Sequence, residues 1–208
     1  MAGIIKVIGV GPGSAEFLTA AGAAALQEAD LLVASRRLLQ EFAHPGQEVY
    51  PLGANLEEAV QFVQRWYEEK QVAVLVSGDT GLYSLASFFA KRFPGDRLAF
   101  IPGISSIQLM FARLKVPWQD AAVLSCHGRE DSRLLGAVRA GLITAVLTDP
   151  KNNPQRIAEE LLAAGCADLP VSVGCNLSYA DELLYRGTLS SLQECKEKFL
   201  NCVVVIGV

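Results

Sequence analysis

The fold is decided by the stretch VAVLVSGDTGLYS, residues 72–84. Its first five residues form an unbroken apolar run, which is typical of a strand buried on both faces in a parallel sheet. Turn-forming residues follow at 77–81, and the apolar spacing of residues 82–93 then predicts a helix. Ligands of open α/β sheets bind at the carboxyl ends of strands, so this turn is a candidate binding loop. A plain turn with a helix-capping Asp79 is the alternative.

Composition limits the classes of function. The chain has 208 residues, of which 51% are hydrophobic and 19% are charged, so it can bury a large core and shows no sign of disorder. A net charge of −4 without a Lys/Arg cluster argues against a nucleic acid partner. Five scattered cysteines without a Cys-x-x-Cys pair predict free thiols in a reducing cytoplasm and no metal site. No apolar stretch reaches membrane-spanning length, which predicts a protein without membrane contact.

Strand and helix patterns alternate along the first half of the chain and begin again near residue 121. The second half contains two consecutive strand patterns without a helix between them, which indicates a mixed sheet. The sequence therefore predicts an α/β fold of two domains, residues 1–112 and 113–208. The first has a mostly parallel five-stranded sheet, and a ligand cleft is expected between the two. The predicted strands of the first half are 4–10, 31–34, 48–52, 72–76 and 98–101.

A glycine-rich loop, GVGPGS at residues 9–14, follows the first strand and invites a dinucleotide-binding interpretation. Ser14 stands where the third glycine of that pattern belongs, and Pro12 removes a backbone donor that a pyrophosphate would need. Both departures argue against a nicotinamide site. Arg36 and Arg37 follow the second strand, where an arginine can hold a 2′-phosphate. An NADP-dependent oxidoreductase therefore remains an alternative.

Three motifs in this order and spacing resemble the tetrapyrrole methylases, and the resemblance covers essentially the whole chain. They are GVGPG (9–13), SGD (77–79) with Tyr83, and PGISS (102–106). Members of the family are two-domain α/β methyltransferases that bind S-adenosylmethionine between the domains. Thr80 stands where the family usually has a proline.

Within the family, three further segments resemble the branch of cobalamin (vitamin B12) synthesis that methylates C5 of cobalt-precorrin-7 or precorrin-6Y. They are ISSIQL (104–109), RLKVPWQD (113–120) and SCHGR (125–129). The resemblance is to the free-standing form without a fused C15-methylating, decarboxylating domain. It implies a cytoplasmic homodimer that works beside a separate C15-methylating decarboxylase. A methyltransferase with another substrate, or a ligand-binding subunit without turnover, are the alternatives.

The resemblance also implies site residues. His127 follows a strand in a glycine turn and is the candidate catalytic residue, as a proton acceptor or a substrate contact, with a structural histidine as the alternative. Arginines suit the carboxylates of a precorrin because the guanidinium is a planar bidentate donor, with a solvated surface arginine as the alternative at each position. The residues expected around S-adenosylmethionine are Gly78, Asp79, Leu82, Tyr83, Ser105, Ser106, Thr148, Asn176 and Leu177. Those expected around the macrocycle are Gly11, Pro12, Gly13, Arg36, Arg37 and Arg129.

Overall fold

The computed structural model describes residues 3–128 and 130–208. The chain divides into two compact units, Met1–Ser105 and Ser106–Val208. Within the described ranges, no helix is long and apolar enough to cross a membrane.

The first unit holds a five-stranded sheet with four helices. Its strands are β1 (Ile5–Gly9), β2 (Leu31–Ala34), β3 (Glu48–Pro51), β4 (Val72–Val76) and β5 (Leu98–Ile101). Its helices are α1 (Ala20–Gln27), α2 (Arg36–Phe42), α3 (Leu56–Trp66) and α4 (Ala86–Ala90), with short 3₁₀ turns at Ala15–Phe17 and Gly95–Arg97. The strand order is β3-β2-β4-β1-β5, and all four pairings are parallel. The predicted parallel sheet is confirmed.

Strand β4 is buried along its whole length. Val72, Val74 and Val76 pack with apolar residues of α3 and α4, whereas Ala73 and Leu75 pack with those of α1 and α2. Successive side chains of a strand point to opposite faces, so an unbroken apolar run serves two helical layers at once. The prediction of a doubly covered central strand is confirmed.

The helix predicted over residues 82–93 is shorter than its apolar spacing suggested, since α4 comprises only Ala86–Ala90. Tyr83 has a φ of 49°, in the left-handed region that a continuing helix cannot use. Leu85 is the N-cap residue of α4 and packs against the core just before the helix begins. The apolar side chains before α4 therefore belong to a loop, residues 77–85, which is longer than predicted.

The second unit holds a mixed five-stranded sheet. Its elements are α5 (Ser106–Leu114), β6 (Ala122–Ser125), α6 (Leu134–Arg139), β7 (Thr144–Leu147), α7 (Pro154–Ala163), β8 (Pro170–Cys175), β9 (Leu183–Thr188), α8 (Leu189–Gln193) and β10 (Cys202–Ile206). The order is β6-β7-β10-β8-β9, with β6 and β7 parallel and the other pairings antiparallel. The predicted mixed sheet is confirmed.

The predicted division between residues 112 and 113 falls inside α5. That helix contacts β10 and groups with the second unit, which begins at Ser106. Four of its nine residues are buried, so it serves as a packing element of this unit. The turn-forming Val116-Pro117-Trp118, on which the predicted division rested, comes only after the helix has ended.

Candidate functional site

Three loops of the first unit follow neighbouring strands. Because β1 lies between β4 and β5 and all three strands are parallel, the loops after them emerge at one edge of the sheet. They are residues 10–14, 77–85 and 102–105, and they contain the three motifs that carry the family resemblance. The sheet topology thus brings together segments that are far apart in sequence.

Reciprocal backbone hydrogen bonds join the loop after β1 to the loop after β4. The Gly11 amide donates to the Gly78 carbonyl oxygen over 3.3 Å, and the Gly78 amide donates to the Gly11 carbonyl oxygen over 2.7 Å. Gly11 has a φ of 87° and Gly78 a φ of 71°, which L side chains rarely adopt. Both glycines are therefore required by the loop geometry.

The loop after β5 contacts the other two through glycine backbone. A Cβ added to Gly103 would lie 2.3 Å from the Gly78 carbonyl oxygen and 2.4 Å from the Gly9 carbonyl oxygen. A Cβ added to Gly9 would lie 2.7 Å from both the Gly103 nitrogen and the Gly78 oxygen. These distances leave no room for any side chain at either position. Sequence reasoning used both glycines as motif residues but did not predict this contact.

Asp79 connects two of these loops. Its Oδ1 accepts a hydrogen bond from the Gly81 amide over 2.8 Å, and its Oδ2 accepts one from the Gly103 amide over 3.1 Å. The side chain is half-buried. A carboxylate has about four acceptor positions, so a bound ligand can still use the remaining ones. Asp79 therefore holds the loops together and keeps acceptor capacity for a ligand.

The other predicted residues of the first unit lie in or beside these loops. Tyr83 is 42% exposed. Arg37 is exposed on the first turn of α2, and its Nη2 donates to Ser77 Oγ over 3.4 Å, so this arginine reaches the loop after β4. Arg36 lies exposed at the first position of α2. Among the remaining predicted site residues of this unit, Gly11, Gly13 and Ser105 are buried, whereas Pro12 and Leu82 are half-buried. Ser106, which begins the second unit, is also half-buried.

In the second unit, His127 and Thr148 are brought together because they follow the neighbouring parallel strands β6 and β7. The His127 ring Nδ1 lies 3.1 Å from the Thr148 carbonyl oxygen. Because a carbonyl only accepts, we assign the proton to Nδ1, which leaves a lone pair on Nε2. Thr148 is buried, and its hydroxyl donates to the Cys202 carbonyl oxygen over 2.9 Å.

Asp149 and Asn152 hold the His127 turn in place, and sequence reasoning missed both. Asp149 accepts hydrogen bonds from the amides of Gly128, Lys151 and Asn152. Asn152 is buried and its side-chain nitrogen donates to the Cys126 carbonyl oxygen over 2.7 Å. The amides of Asn152 and Gly128 lower the pKa of Asp149 to about 2. The turn-forming sequence DPKNNP (149–154) was the available signal.

Asp149→Asn should make the protein less sensitive to acid. The folded pKa of Asp149 lies below its ordinary value of 3.8, so the ionised carboxylate stabilises the fold above about pH 4. That contribution is lost as the pH falls from about 4 to 2. At pH 6, the free energy of unfolding should be lower in the variant than in the wild type. Between pH 4 and 2, it should change less in the variant than in the wild type.

Urea unfolding at several pH values measures this effect. Asp131 titrates over the same pH range, because Arg133 lowers its pKa to about 2. The pH dependence of the free energy of unfolding should therefore be reduced in Asp149→Asn but not abolished. Asp96→Asn, in the exposed turn before β5, is the matched control. An unchanged pH slope in Asp149→Asn would contradict the assignment.

In the loop after β8, the predicted site residues Asn176 and Leu177 contact other residues of the same unit. Asn176 has a φ of 46°, its nitrogen donates to Asp181 over 2.7 Å, and its oxygen accepts from Asn201 over 3.2 Å. Leu177 is 3% exposed and packs at Gly174. Both residues shape this loop, and their contact with a ligand stays a prediction. Arg129 lies outside the described residues.

No three His, Cys, Asp or Glu side chains within residues 3–128 and 130–208 are grouped so that they could hold a metal ion.

Comparison with known proteins identifies the family. The family described as tetrapyrrole (corrin/porphyrin) methylases matches residues 5–193. A probable cobalt-precorrin-7 C(5)-methyltransferase of Methanocaldococcus jannaschii is 32% identical, and the alignment covers 98% of each chain. The cobalt-precorrin-7 C(5)-methyltransferase of Salmonella typhimurium is 29% identical, again with 98% of each chain covered.

A solved structure agrees in fold. The uroporphyrin-III C-methyltransferase of Thermus thermophilus, crystallised with S-adenosylhomocysteine, has a TM-score of 0.77. The match covers 98% of this chain and 92% of that one, at 21% identity. With the family match over residues 5–193 and relatives aligned along their full length, the chain belongs to the tetrapyrrole methylases.

Proposed function

We propose that this chain is an S-adenosylmethionine-dependent C-methyltransferase of cobalamin biosynthesis that acts on C5 of cobalt-precorrin-7 or precorrin-6Y. The observation that carries the proposal is the full-length alignment with two C5-methyltransferases, at 32% and 29% identity. Family membership disfavours the NADP-dependent alternative. A family member with a different substrate is the second candidate, and the assay below distinguishes the two.

The methyl donor is expected at the loops after β1, β4 and β5. Its ribose hydroxyls and amino acid group need acceptors and donors, and Asp79, Ser105 and Ser106 offer a carboxylate and two hydroxyls there. The carboxylate keeps free acceptor positions after its bonds to Gly81 and Gly103. The S-adenosylhomocysteine in the Thermus relative supports a donor of this class. The full proposed set is Gly78, Asp79, Leu82, Tyr83, Ser105, Ser106, Thr148, Asn176 and Leu177.

The transfer of a methyl group to carbon requires little acid–base catalysis from the protein. When bound, S-adenosylmethionine supplies an electrophilic methyl group, and its sulfur keeps the electron pair of the broken C–S bond. The chain must align the donor with the nucleophilic ring carbon and exclude water. Rigid loops suit this task, and the tight contact of Gly9, Gly78 and Gly103 provides that rigidity.

His127 is the proposed proton acceptor. A ring carbon that gains a methyl group and restores its conjugation must lose a proton to a base. With Nδ1 donating to the Thr148 carbonyl oxygen, Nε2 has the lone pair that this step requires. His127 is exposed within its unit, and Asp149 fixes the adjacent turn through Gly128.

The acetate and propionate groups of the precorrin are expected to bind arginines. Arg37 reaches the loop after β4 through its hydrogen bond to Ser77. Arg36 comes directly before Arg37 in the sequence, and Arg129 comes directly after Gly128. In a chain of net charge −4, local cations offset the repulsion of a polyanionic substrate. The loop at Gly11, Pro12 and Gly13 is the proposed macrocycle contact between β1 and α1.

Arg37→Ala should raise the Michaelis constant for the macrocycle about tenfold, since hydrogen bonds between charged groups contribute about 1.5–3 kcal/mol. Arg37→Lys keeps the charge but loses the planar fork, so we expect an intermediate rise. The Michaelis constant for the methyl donor should change much less than the one for the macrocycle. The same pair of substitutions at Arg129 should give the same pattern. If neither arginine affects the macrocycle constant, both are ordinary surface residues.

The function is tested by incubating the protein with S-adenosylmethionine that carries a ¹³C methyl group. Cobalt-precorrin-7, precorrin-6Y and an earlier precorrin are offered separately. We expect one added methyl group by mass spectrometry and a new ¹³C signal at C5 only with the first two. Methylation of the earlier precorrin alone would support the second candidate. Parallel calorimetry should show binding of S-adenosylhomocysteine and none of NADPH.

We also propose a cytoplasmic location and a homodimeric assembly for this protein. The scattered spacing of the five cysteines, without a Cys-x-x-Cys pair, supports a reducing cytoplasm. The homodimer and the separate C15-methylating decarboxylase stay predictions. Light scattering on the purified protein measures whether it is a homodimer. Co-purification tests whether it binds the separate decarboxylase.

A further inference from the structure

Two buried cysteines face each other in the sheet of the second unit. Cys175 ends β8 and Cys202 begins β10, and the antiparallel register places them directly opposite each other. Their sulfur atoms lie 2.9 Å apart, and each residue is 4% exposed. A disulfide needs sulfur atoms about 2.0 Å apart and two side chains that point toward each other. The pair can therefore meet this requirement with a shift of about one ångström.

We propose that Cys175 and Cys202 are a reversible oxidation site, which a small disulfide reagent such as oxidised glutathione converts to an intrachain disulfide. The pair lies outside the residues assigned to methyl transfer, and the proposal does not depend on that function. It rests on the strand register, the sulfur–sulfur contact and the position of both residues at strand ends.

The position of the pair gives small reagents a route to it. Cys202 follows the exposed Leu200 and Asn201, and Cys175 precedes the half-buried Asn176. A brief opening of these loop ends uncovers both thiols without disturbing the middle of β8 or β10. The other cysteines lie elsewhere: Cys126 follows β6, Cys166 follows α7, and Cys195 follows α8.

The chemistry uses two exchange steps. The thiolate of one cysteine attacks a sulfur of the disulfide reagent, forms a mixed disulfide and releases one thiolate of the reagent. The second cysteine loses its proton and attacks the protein sulfur of that mixed disulfide, which releases the second reagent thiolate. The protein loses two electrons and two protons, and the reagent is reduced to two thiols. Cys175 is the favoured first nucleophile, because hydrogen bonds from the Cys202 thiol and the Leu200 amide lower its pKa.

The disulfide would act on two neighbouring loops. The Cys202 carbonyl oxygen accepts the Thr148 hydroxyl, and Asn176, next to Cys175, bonds Asn201, next to Cys202. A bond between the sulfur atoms closes a loop that spans 27 positions and fixes the bases of the loops after β7 and β8. Oxidation should therefore stiffen this end of the sheet and leave its topology unchanged.

Peptide mapping after treatment with oxidised glutathione tests the proposal. Trypsin places Cys202 on the peptide 199–208 and Cys175 on 157–186, which also carries Cys166. We expect these peptides to be linked through a disulfide, with a mass loss of two hydrogens that dithiothreitol reverses. The Cys166→Ala variant should still form the link, whereas Cys175→Ala and Cys202→Ala should not. The oxidised wild type should melt roughly 5–10 °C higher than the reduced protein.

Two results would overturn the proposal. One is the absence of the link in folded wild-type protein under conditions in which glutathione modifies Cys166. The other is a link that survives in Cys175→Ala, which would assign it to Cys166. Circular dichroism shows whether each variant is folded, and the wild-type map is decisive if either variant is not.

Discussion

Replacing Gly103 by alanine is expected to lower the free energy of unfolding by about 3 kcal/mol and to abolish binding of S-adenosylhomocysteine. The added Cβ would lie 2.3 Å from the Gly78 carbonyl oxygen and 2.4 Å from that of Gly9. Both are backbone atoms, so neither can turn aside as a flexible side chain would, and the cost belongs at the upper end of overpacking effects. Relief requires the loops after β1, β4 and β5 to separate.

Gly53→Ala is the matched control, because a Cβ there would meet nothing within 4 Å. Its effect on stability should stay within about 0.5 kcal/mol. Urea unfolding and calorimetry with S-adenosylhomocysteine measure both quantities. A Gly103→Ala protein with wild-type stability and affinity would show that the three loops are not in contact in solution.

Asp79→Ala should leave the protein folded and weaken cosubstrate binding at least tenfold. A hydrogen bond to a charged group contributes about 1.5–3 kcal/mol, and Asp79 accepts one from Gly81 and one from Gly103. Its removal leaves both amides without this acceptor and loosens the loops after β4 and β5. It also removes the carboxylate proposed to contact the donor.

Asp79→Asn separates these two effects. The amide retains one oxygen that can accept from Gly81 or Gly103, so the loops should be held in part while the negative charge is lost. If Asn restores most of the affinity, loop positioning dominates; if it behaves like Ala, the charge does. Wild-type affinity in both folded variants would remove Asp79 from the site.

Much of the fold was predictable, because it depends on patterns that are local in sequence. The apolar run of β4 predicts a strand covered on both faces, and both core clusters confirm it. The helix predicted over residues 82–93 is confirmed only for Ala86–Ala90. It begins late because Tyr83 adopts a left-handed backbone conformation and Leu85 packs on the core just before the helix. Apolar spacing alone does not distinguish a helix from a loop that lies on the core.

The sequence motifs nominate residues for the candidate site, but how these residues are arranged could not be predicted from the sequence. The motifs identify Gly78, Asp79 and Gly103, but their contact depends on β1 lying between β4 and β5. No local pattern specifies that strand order. Asp149 was missed for a related reason, since its partner Gly128 follows a different strand.

The strand order of the first unit has a consequence for how the chain is made. Among the described residues, β1 pairs with β4 and β5, which begin at residues 72 and 98. During synthesis, at about 5–20 residues per second, the chain must add residues 10–71 before any partner strand of β1 starts to appear, a wait of roughly 3–12 s. Until then, β1 lacks the pairings with β4 and β5 that cover both of its edges in the folded unit. The strand order that brings the three loops together therefore means that β1 cannot pair until β4 has been made.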